Sequence, residues 1–164
     1  MELTKKIIIL GNVGVGKTSM VNRFVFDRFS ETYYSTIGVR IEKKVVTVGD
    51  DKLNFIIWDI AGESNQQNTP QSYFLGTSAI IYLVDISAPP SYLNVETDIQ
   101  FIKSKIPNSP LLLVANKFDL LNETQVQHAV KMMPIKPDML ISAKSNLNVE
   151  SVFKQLANLI LLEY

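Results

Sequence analysis

Apolar runs of strand length alternate along this chain with stretches whose apolar residues recur at helical spacing. Residues 79–85 and 111–116 are apolar without alternation, which is typical of strands buried on both faces of a parallel sheet. Residues 39–48 and 53–58 flank a turn-rich link and predict an antiparallel hairpin. The other strands are predicted at residues 5–10 and 138–142, and helices near residues 17–27, 92–105, 124–131 and 149–162. This order predicts an α/β fold with a six-stranded, mostly parallel sheet and helices on both faces.

Length and charge narrow the functional classes. A chain of 164 residues suits a single domain over residues 1–164 with a sizeable core. Sixteen basic and sixteen acidic residues leave no net charge, which argues against a nucleic-acid partner or a polybasic membrane surface. The chain has no cysteine, its apolar runs are shorter than a membrane span, and its first residues lack the pattern of a signal peptide. We therefore expect a cytoplasmic protein.

A glycine-rich segment follows the first predicted strand and precedes the first predicted helix, and it matches the phosphate-binding loop pattern. Its glycines let backbone N–H groups turn toward phosphate oxygens at a helix N-terminus. Lys17 supplies a charge for the β- and γ-phosphates, and the Thr18 hydroxyl can ligate Mg²⁺. The residues predicted to bind phosphate here are Val13, Gly14, Val15, Gly16, Lys17, Thr18 and Ser19.

The nucleotide base is indicated by the segment 116–119, Asn-Lys-Phe-Asp, behind a buried predicted strand. The Asp119 carboxylate can accept hydrogen bonds from the N1–H and the exocyclic amine of guanine. Adenine has no such donor pair and would leave the carboxylate unpaired. Asn116 can brace the loop and contact the base, while the stem of Lys117 can lie along the ring. This segment therefore favours GTP over ATP.

A second base-contacting loop, Ser142-Ala143-Lys144, follows the last predicted strand, where a backbone N–H can reach the guanine carbonyl oxygen. Each of the two loops alone is a weak signal, but together and in this order they are strong. An ATP-using P-loop kinase is the alternative that they argue against, and competition between GTP and ATP would decide it.

Two further loops carry metal-binding and phosphate-sensing residues. Asp59 ends a predicted strand, where it can hold the hydration shell of Mg²⁺. The Gly62 N–H can meet a γ-phosphate oxygen, so its loop would sense the third phosphate. The Thr36 hydroxyl is placed to complete the Mg²⁺ coordination when a γ-phosphate is bound. The predicted metal ligands are therefore Thr18, Thr36 and Asp59.

With these five motifs in order, the chain resembles the Ras superfamily of small GTPases over nearly its whole length. The segments Thr36-Ile37-Gly38-Val39 and Trp58-Asp59 look most like its Rab branch. The resemblance implies a P-loop NTPase G domain that binds GTP and GDP with Mg²⁺, hydrolyses GTP and acts as a monomeric switch in Rab-like signalling or vesicle traffic. It also implies that Tyr33 lies over the phosphates and that Phe29 packs against guanine. A core aromatic is the alternative for Phe29.

The same resemblance implies protein partners: an effector, an exchange factor and an activating protein that bind through the Thr36 and Glu63 loops. Peripheral attachment to intracellular membranes would need a lipidated C-terminal tail, and the sequence through Tyr164 has no cysteine for it. Either such a tail is missing from this sequence, or the protein does not attach in this way. Residues 63–71 are unusually polar and are expected to form a mobile loop. Its part 64–70 lacks the Arg and Phe common in Rab relatives, so it is either a solvated loop or a new binding surface.

Two departures from the family concern hydrolysis, whose predicted catalytic residues are Lys17, Gly62 and Glu63. The family usually has Gln at position 63 to orient the attacking water, whereas the Glu63 carboxylate cannot donate a hydrogen bond and repels the phosphate. The branched side chain of Val13 would crowd the γ-phosphate and the path of an arginine finger. Both changes predict slow hydrolysis and a long-lived GTP state. Two alternatives stay open: Glu63 points to solvent while another residue orders the water, or the chain is a GTP-bound interaction module with negligible hydrolysis.

Overall fold

The computed structural model describes residues 2–163 of the chain. Its strands are β1 (Glu2–Leu10), β2 (Val39–Val48), β3 (Asp51–Ile60), β4 (Thr77–Asp85), β5 (Leu111–Asn116) and β6 (Met139–Leu140). Its α-helices are α1 (Lys17–Phe26), α2 (Val95–Lys105), α3 (Glu123–Met132) and α4 (Val149–Leu161). All predicted strands and helices are therefore present among the described residues, with some shifted ends.

The strands form one six-stranded sheet in the order β2-β3-β1-β4-β5-β6. Every neighbouring pair is parallel except β2 and β3, which form the predicted antiparallel hairpin. Val48 pairs with Asp51, so the hairpin turn has only two residues, and Gly49 adopts the left-handed φ of 57° that such turns require. Because five strands are parallel, their carboxyl ends and the loops that follow them lie along one edge of the sheet.

Helices cover both faces of the sheet and divide the interior into two apolar clusters. The first cluster packs alternate residues of β1, such as Ile7 and Ile9, against α1 and α4. The second packs Ile8 and Leu10 from the other face against α2 and α3. Burial on both faces explains why the central strands are apolar without alternation. The predicted α/β fold is confirmed.

Two of the shifted boundaries have local causes. The last strand is shorter than residues 138–142, because the Asp138 carboxylate accepts the Leu113 N–H at 2.8 Å and Ser142 instead bridges to Leu147. Helix α2 begins at Val95 rather than at residue 92, since a 3₁₀ turn at Pro89–Ser91 comes before it. The polar stretch 63–71 is only partly solvated, because it contains a 3₁₀ turn at Gln66–Asn68 whose first residue is buried.

Candidate functional site

A cavity of about 430 Å³ lies at the carboxyl edge of the sheet. It is bounded by the glycine-rich loop, the segment between α1 and β2, and the loops after β3, β5 and β6. The residues predicted from the sequence that line it are Val13, Gly14, Gly16, Lys17, Thr18, Ser19, Phe29, Tyr33, Thr36, Gly62, Asn116, Lys117, Asp119, Ala143 and Lys144. Val15, Asp59, Glu63 and Ser142 were also predicted but do not line it.

The glycine-rich loop has the backbone conformation that its sequence predicts. Gly14 and Gly16 have φ values of 78° and 100°, in the left-handed region that favours glycine. A side chain at Gly16 would place its Cβ 2.3 Å from Asn116 Nδ2, so the loop can approach the end of β5 only without one. Gly16 is also the N-cap of α1, and the N-terminus of this helix therefore faces the cavity.

Lys17 is held in place at the start of α1. Its ammonium group donates to the carbonyl oxygens of Gly11 and Asn12, at 3.0 Å and 2.9 Å, and the side chain is 6% exposed. Burial lowers the pKa of Lys17 to about 8, although the charges of Asp59 and Glu63 raise it. An ammonium has three N–H donors. Two are used by the loop, so the third is left for an anion in the cavity.

Thr18, Thr36 and Asp59 converge from three separate segments. Thr18 Oγ1 donates to Asp59 Oδ2 at 2.6 Å and lies 2.7 Å from Thr36 Oγ1. The second carboxylate oxygen, Asp59 Oδ1, is buried without a hydrogen-bond partner among the described residues. Burial raises the pKa of Asp59, whereas the Thr18 hydroxyl and the Lys17 charge lower it. These oxygens are the hard ligands that Mg²⁺ prefers, and the unpaired Oδ1 fits a cation or a water bound to it.

Gly62 lies directly against the glycine-rich loop. A Cβ on Gly62 would lie 2.6 Å from Val13 Cα and 2.7 Å from Val13 N, so only glycine fits there. The Val13 side chain itself is 61% exposed at the cavity wall. The Glu63 side chain is half-buried beside the cavity, and its backbone oxygen accepts from Gln66 Nε2 at 2.8 Å.

Asn116 and Lys117, which line the cavity at the end of β5, brace the loops around it. Asn116 Nδ2 donates to the Val15 carbonyl at 3.0 Å, and its Oδ1 accepts the Ala143 N–H at 3.1 Å. Val15 therefore contributes its backbone, while its side chain packs in the core. Lys117 Nζ donates to the Gly14 carbonyl at 2.7 Å, and its stem lines the cavity.

A hydrogen bond joins Asp119 to Ser142, and through it Ser142 supports the site although it does not line the cavity. The buried Ser142 hydroxyl donates to Asp119 Oδ1 at 2.6 Å, so it holds one carboxylate oxygen from behind. Asp119 itself is exposed and lines the cavity.

Sequence reasoning missed two residues that fix these loops. The Asp85 carboxylate, at the end of β4, lies 2.8 Å from Lys117 Nζ. Arg23 on α1 donates to the carbonyl oxygens of Ala143 and Lys144, both at 2.9 Å. Neither belongs to a local motif, and only the apolar run that ends at Asp85 pointed to the carboxyl edge of the sheet.

The aromatic residues at the cavity rim differ in burial. Phe29 lines the cavity and also packs, half-buried, against the cluster below α1 and α4, so its two predicted roles are compatible. Tyr33 is 63% exposed in the segment between α1 and β2 that lines the cavity. Nearby, Lys144 pairs with Glu31 at 3.0 Å and closes one side of the rim.

Comparison with known proteins agrees with this geometry. The family model described as the Ras family matches residues 6–162. Ypt/Rab-type GTPase YPT7 of Saccharomyces cerevisiae is 32% identical over 164 residues, covering 93% of this chain and 79% of that protein. Ras-related protein Rab-13 of Canis lupus familiaris is 34% identical, with 96% and 80% covered. Ras-related protein RABF2a of Arabidopsis thaliana is 32% identical, with 95% and 80% covered.

The first strand of the mostly parallel sheet leads through a glycine-rich loop into a helix, and a lysine and hard oxygen ligands lie at the same edge. This arrangement defines a P-loop nucleotide-binding protein. The chain belongs to the Ras family of small GTPases, and its relatives confirm the resemblance to the Rab branch. It is a GTPase that binds GTP and GDP with Mg²⁺ and acts as a molecular switch. Among residues 2–163, no helix has the length and apolar character needed to cross a membrane.

Proposed function

We propose that this protein is a slowly hydrolysing GTP switch of the Rab type, and that the predicted residues carry the roles given to them above. The convergence of Thr18, Thr36 and Asp59 on one point beside Lys17 carries the proposal. Thr36 comes from the loop before β2, so a ligand at this point would hold that loop against α1. Loss of the γ-phosphate would weaken this hold and release the loop.

The phosphates would be bound by the backbone of residues 13–19 and by the free N–H of Lys17. Thr18 and Thr36 would ligate Mg²⁺ and Asp59 would support it through water. When bound, the ion would neutralise charge on the phosphates. Gly62 would sense the γ-phosphate, since its contact with Val13 keeps its N–H next to the phosphate loop.

The guanine base would be read by the loops after β5 and β6. Asp119 keeps an oxygen available for the base while Ser142 holds the other, so the carboxylate is oriented before the base arrives. The stem of Lys117 and Phe29 would cover the ring. We place the Ala143-Lys144 backbone at the guanine carbonyl, supported by the two Arg23 hydrogen bonds that fix this loop.

Slow hydrolysis follows from residues 13 and 63. Glu63 carries a negative charge near the γ-phosphate and has no N–H donor with which to orient both water and phosphate. Val13 adds a branched, exposed side chain at the cavity wall, where a partner's arginine would enter. The second candidate, a GTP-bound interaction module with negligible hydrolysis, rests on the same two residues, and turnover separates it from a switch.

Single-turnover GTP hydrolysis with Mg²⁺ tests this proposal in the wild type, Glu63→Gln and the exposed-neighbour control Ser64→Ala. We expect Glu63→Gln to be at least about tenfold faster than the wild type and the control to be unchanged. Competition between GTP and ATP, run in parallel, tests the base assignment. Brisk wild-type turnover that Glu63→Gln does not increase would overturn the slow-switch reading.

The partners follow from the two loops that respond to the γ-phosphate. An effector, an exchange factor and an activating protein would bind the Thr36 and Glu63 loops of a monomeric switch in vesicle traffic or related signalling. Cytoplasmic residence with peripheral attachment to intracellular membranes would suit this role, given a lipidated tail. Binding of a Rab exchange factor to the purified chain, compared with Ile37→Asp in the exposed part of the first loop, would test it.

A further inference from the structure

Three buried polar residues form a hydrogen-bonded network that leads away from the cavity. Tyr82 on β4 and Asp98 on α2 are 0% and 8% exposed, and Tyr82 Oη donates to Asp98 Oδ2 at 2.6 Å. Gln66, in the 3₁₀ turn after β3, is 1% exposed. Burying polar groups at this depth costs free energy unless each is hydrogen-bonded, so the hydrogen bonds of these three residues are specific contacts that the fold requires.

Two hydrogen bonds of Gln66 extend this network to residue 63. Burial raises the pKa of Asp98, whereas hydrogen bonds from the Tyr82 hydroxyl and from the Gln66 backbone N–H lower it. The Gln66 side-chain Nε2 donates to the Glu63 backbone oxygen at 2.8 Å. Asn65 caps the 3₁₀ turn at Gln66–Asn68, because its side chain accepts the Gln67 N–H at 2.9 Å. Gln66 therefore links the core residue Asp98 to the backbone of Glu63.

We propose that Asp98 is a positioning residue for GTP hydrolysis, because through Gln66 it fixes the backbone of residue 63 and hence the direction of that side chain. Asp98 does not line the cavity, so its effect on hydrolysis would be indirect, through Gln66. A carboxylate suits this position since it accepts from Tyr82 and Gln66 at once. The inference rests on the proposed role of Glu63 beside the γ-phosphate. In this account Asp98 anchors the 3₁₀ turn next to the site.

Hydrogen exchange of the amides of residues 62–68 tests the anchor independently of catalysis. Asp98→Ala removes the acceptor for the Gln66 N–H, and we expect exchange there to become roughly tenfold faster or more. Asp98→Asn keeps an acceptor oxygen for the Gln66 N–H and replaces the bond that Tyr82 donates with one that the Tyr82 oxygen accepts, so it should restore the wild-type rate. Tyr82→Phe is the matched control, because it removes a hydrogen bond from the same carboxylate but leaves the Gln66 contact.

Single-turnover hydrolysis in the Glu63→Gln background tests the positioning role. We expect Asp98→Ala to remove most of the gain from Glu63→Gln, and Asp98→Asn and Tyr82→Phe to keep it within about twofold. GTP affinity should stay unchanged in all of these variants. A structural role alone would instead lower activity in Tyr82→Phe as much as in Asp98→Ala, or lower GTP affinity in both.

The two experiments separate this inference from the slow-switch proposal. If Glu63→Gln gives no gain, the account of slow hydrolysis fails, and the anchor is decided by hydrogen exchange alone. Wild-type exchange of residues 62–68 in Asp98→Ala would overturn the inference. So would a full Glu63→Gln gain that survives Asp98→Ala.

Discussion

Lys117 Nζ lies 2.8 Å from Asp85 Oδ2, at the point where β4 and β5 end side by side. The same ammonium donates to the Gly14 carbonyl, so one cation joins the phosphate loop to two central strands. Lys117 adopts a left-handed φ of 67°, which is unfavourable for a residue with a Cβ. Tertiary contacts such as the Asp85 pair must therefore hold this conformation.

Asp85→Asn should weaken nucleotide binding without altering the fold. The substitution removes the negative partner of Lys117 while it keeps a similar shape, so Lys117 is less firmly held against the cavity that it lines. The pair is partly exposed, and we expect GDP affinity to fall by roughly threefold to tenfold. Fluorescent-nucleotide titration measures this, with Asp50→Asn in the exposed hairpin turn as the control. Equal affinities for the two variants would contradict the role of Asp85.

Asp119→Asn should change which base is bound. In the proposed site the amide keeps one acceptor but places an N–H donor opposite a guanine donor, so GDP affinity should fall by about 100-fold or more. A base with a carbonyl in place of the exocyclic amine should then bind better than guanine. Competition between GDP and xanthosine diphosphate measures the exchange. Unchanged guanine preference would show that another residue reads the base.

The local motifs of this site could be predicted from the sequence because their geometry is made within a few residues. The phosphate loop needs glycine at two left-handed positions and lysine at the helix start, and all three lie within four consecutive residues. The same holds for the apolar central strands, whose burial on both faces appears directly as unbroken apolar runs.

The remaining supports could not be predicted because their partners lie far along the chain. Arg23 reaches the Ala143 carbonyl 120 residues away, and nothing in its local sequence indicates that contact. Asp98 occupies a position in α2 that looks like part of a solvated helix face, but the sheet places Tyr82 beneath it. Periodicity shows which face of an element is apolar, whereas pairing across the core depends on the assembled fold.

Nucleotide affinity should fall as the pH rises through about 8, where the buried Lys17 loses its proton. A phosphate beside the ammonium favours the charged form, so binding above this pH takes up a proton. The folded-state pKa lies below the ordinary value of 10.5, so the unfolded chain binds more protons between about 8 and 10.5. The stability of the nucleotide-free protein should therefore rise with pH across that interval.

GDP titrations between about pH 7 and pH 9 check the binding part of this prediction. Lys17→Arg is the matched comparison, because a guanidinium stays charged over the whole range and any titration of the ligand cancels. Affinity that falls with pH equally in both proteins would show that Lys17 is not the titrating group.

Gly62→Ala should impair the response to the γ-phosphate more than nucleotide binding itself. The new Cβ would lie 2.6 Å from Val13 Cα and 2.9 Å from the Asn12 carbonyl carbon, so the two loops must separate. In the proposed site GDP would contact the phosphate loop and the base loops but not residue 62, so its affinity should stay within about twofold. Affinity for a non-hydrolysable GTP analogue should fall by about tenfold, because the residue 62 N–H moves away from the third phosphate. Val13→Gly should not rescue Gly62→Ala, since the contacts are with backbone atoms. Rescue by Val13→Gly would show that the effect depends on the Val13 side chain. An equal loss of affinity for both nucleotides would show that it reflects global stability.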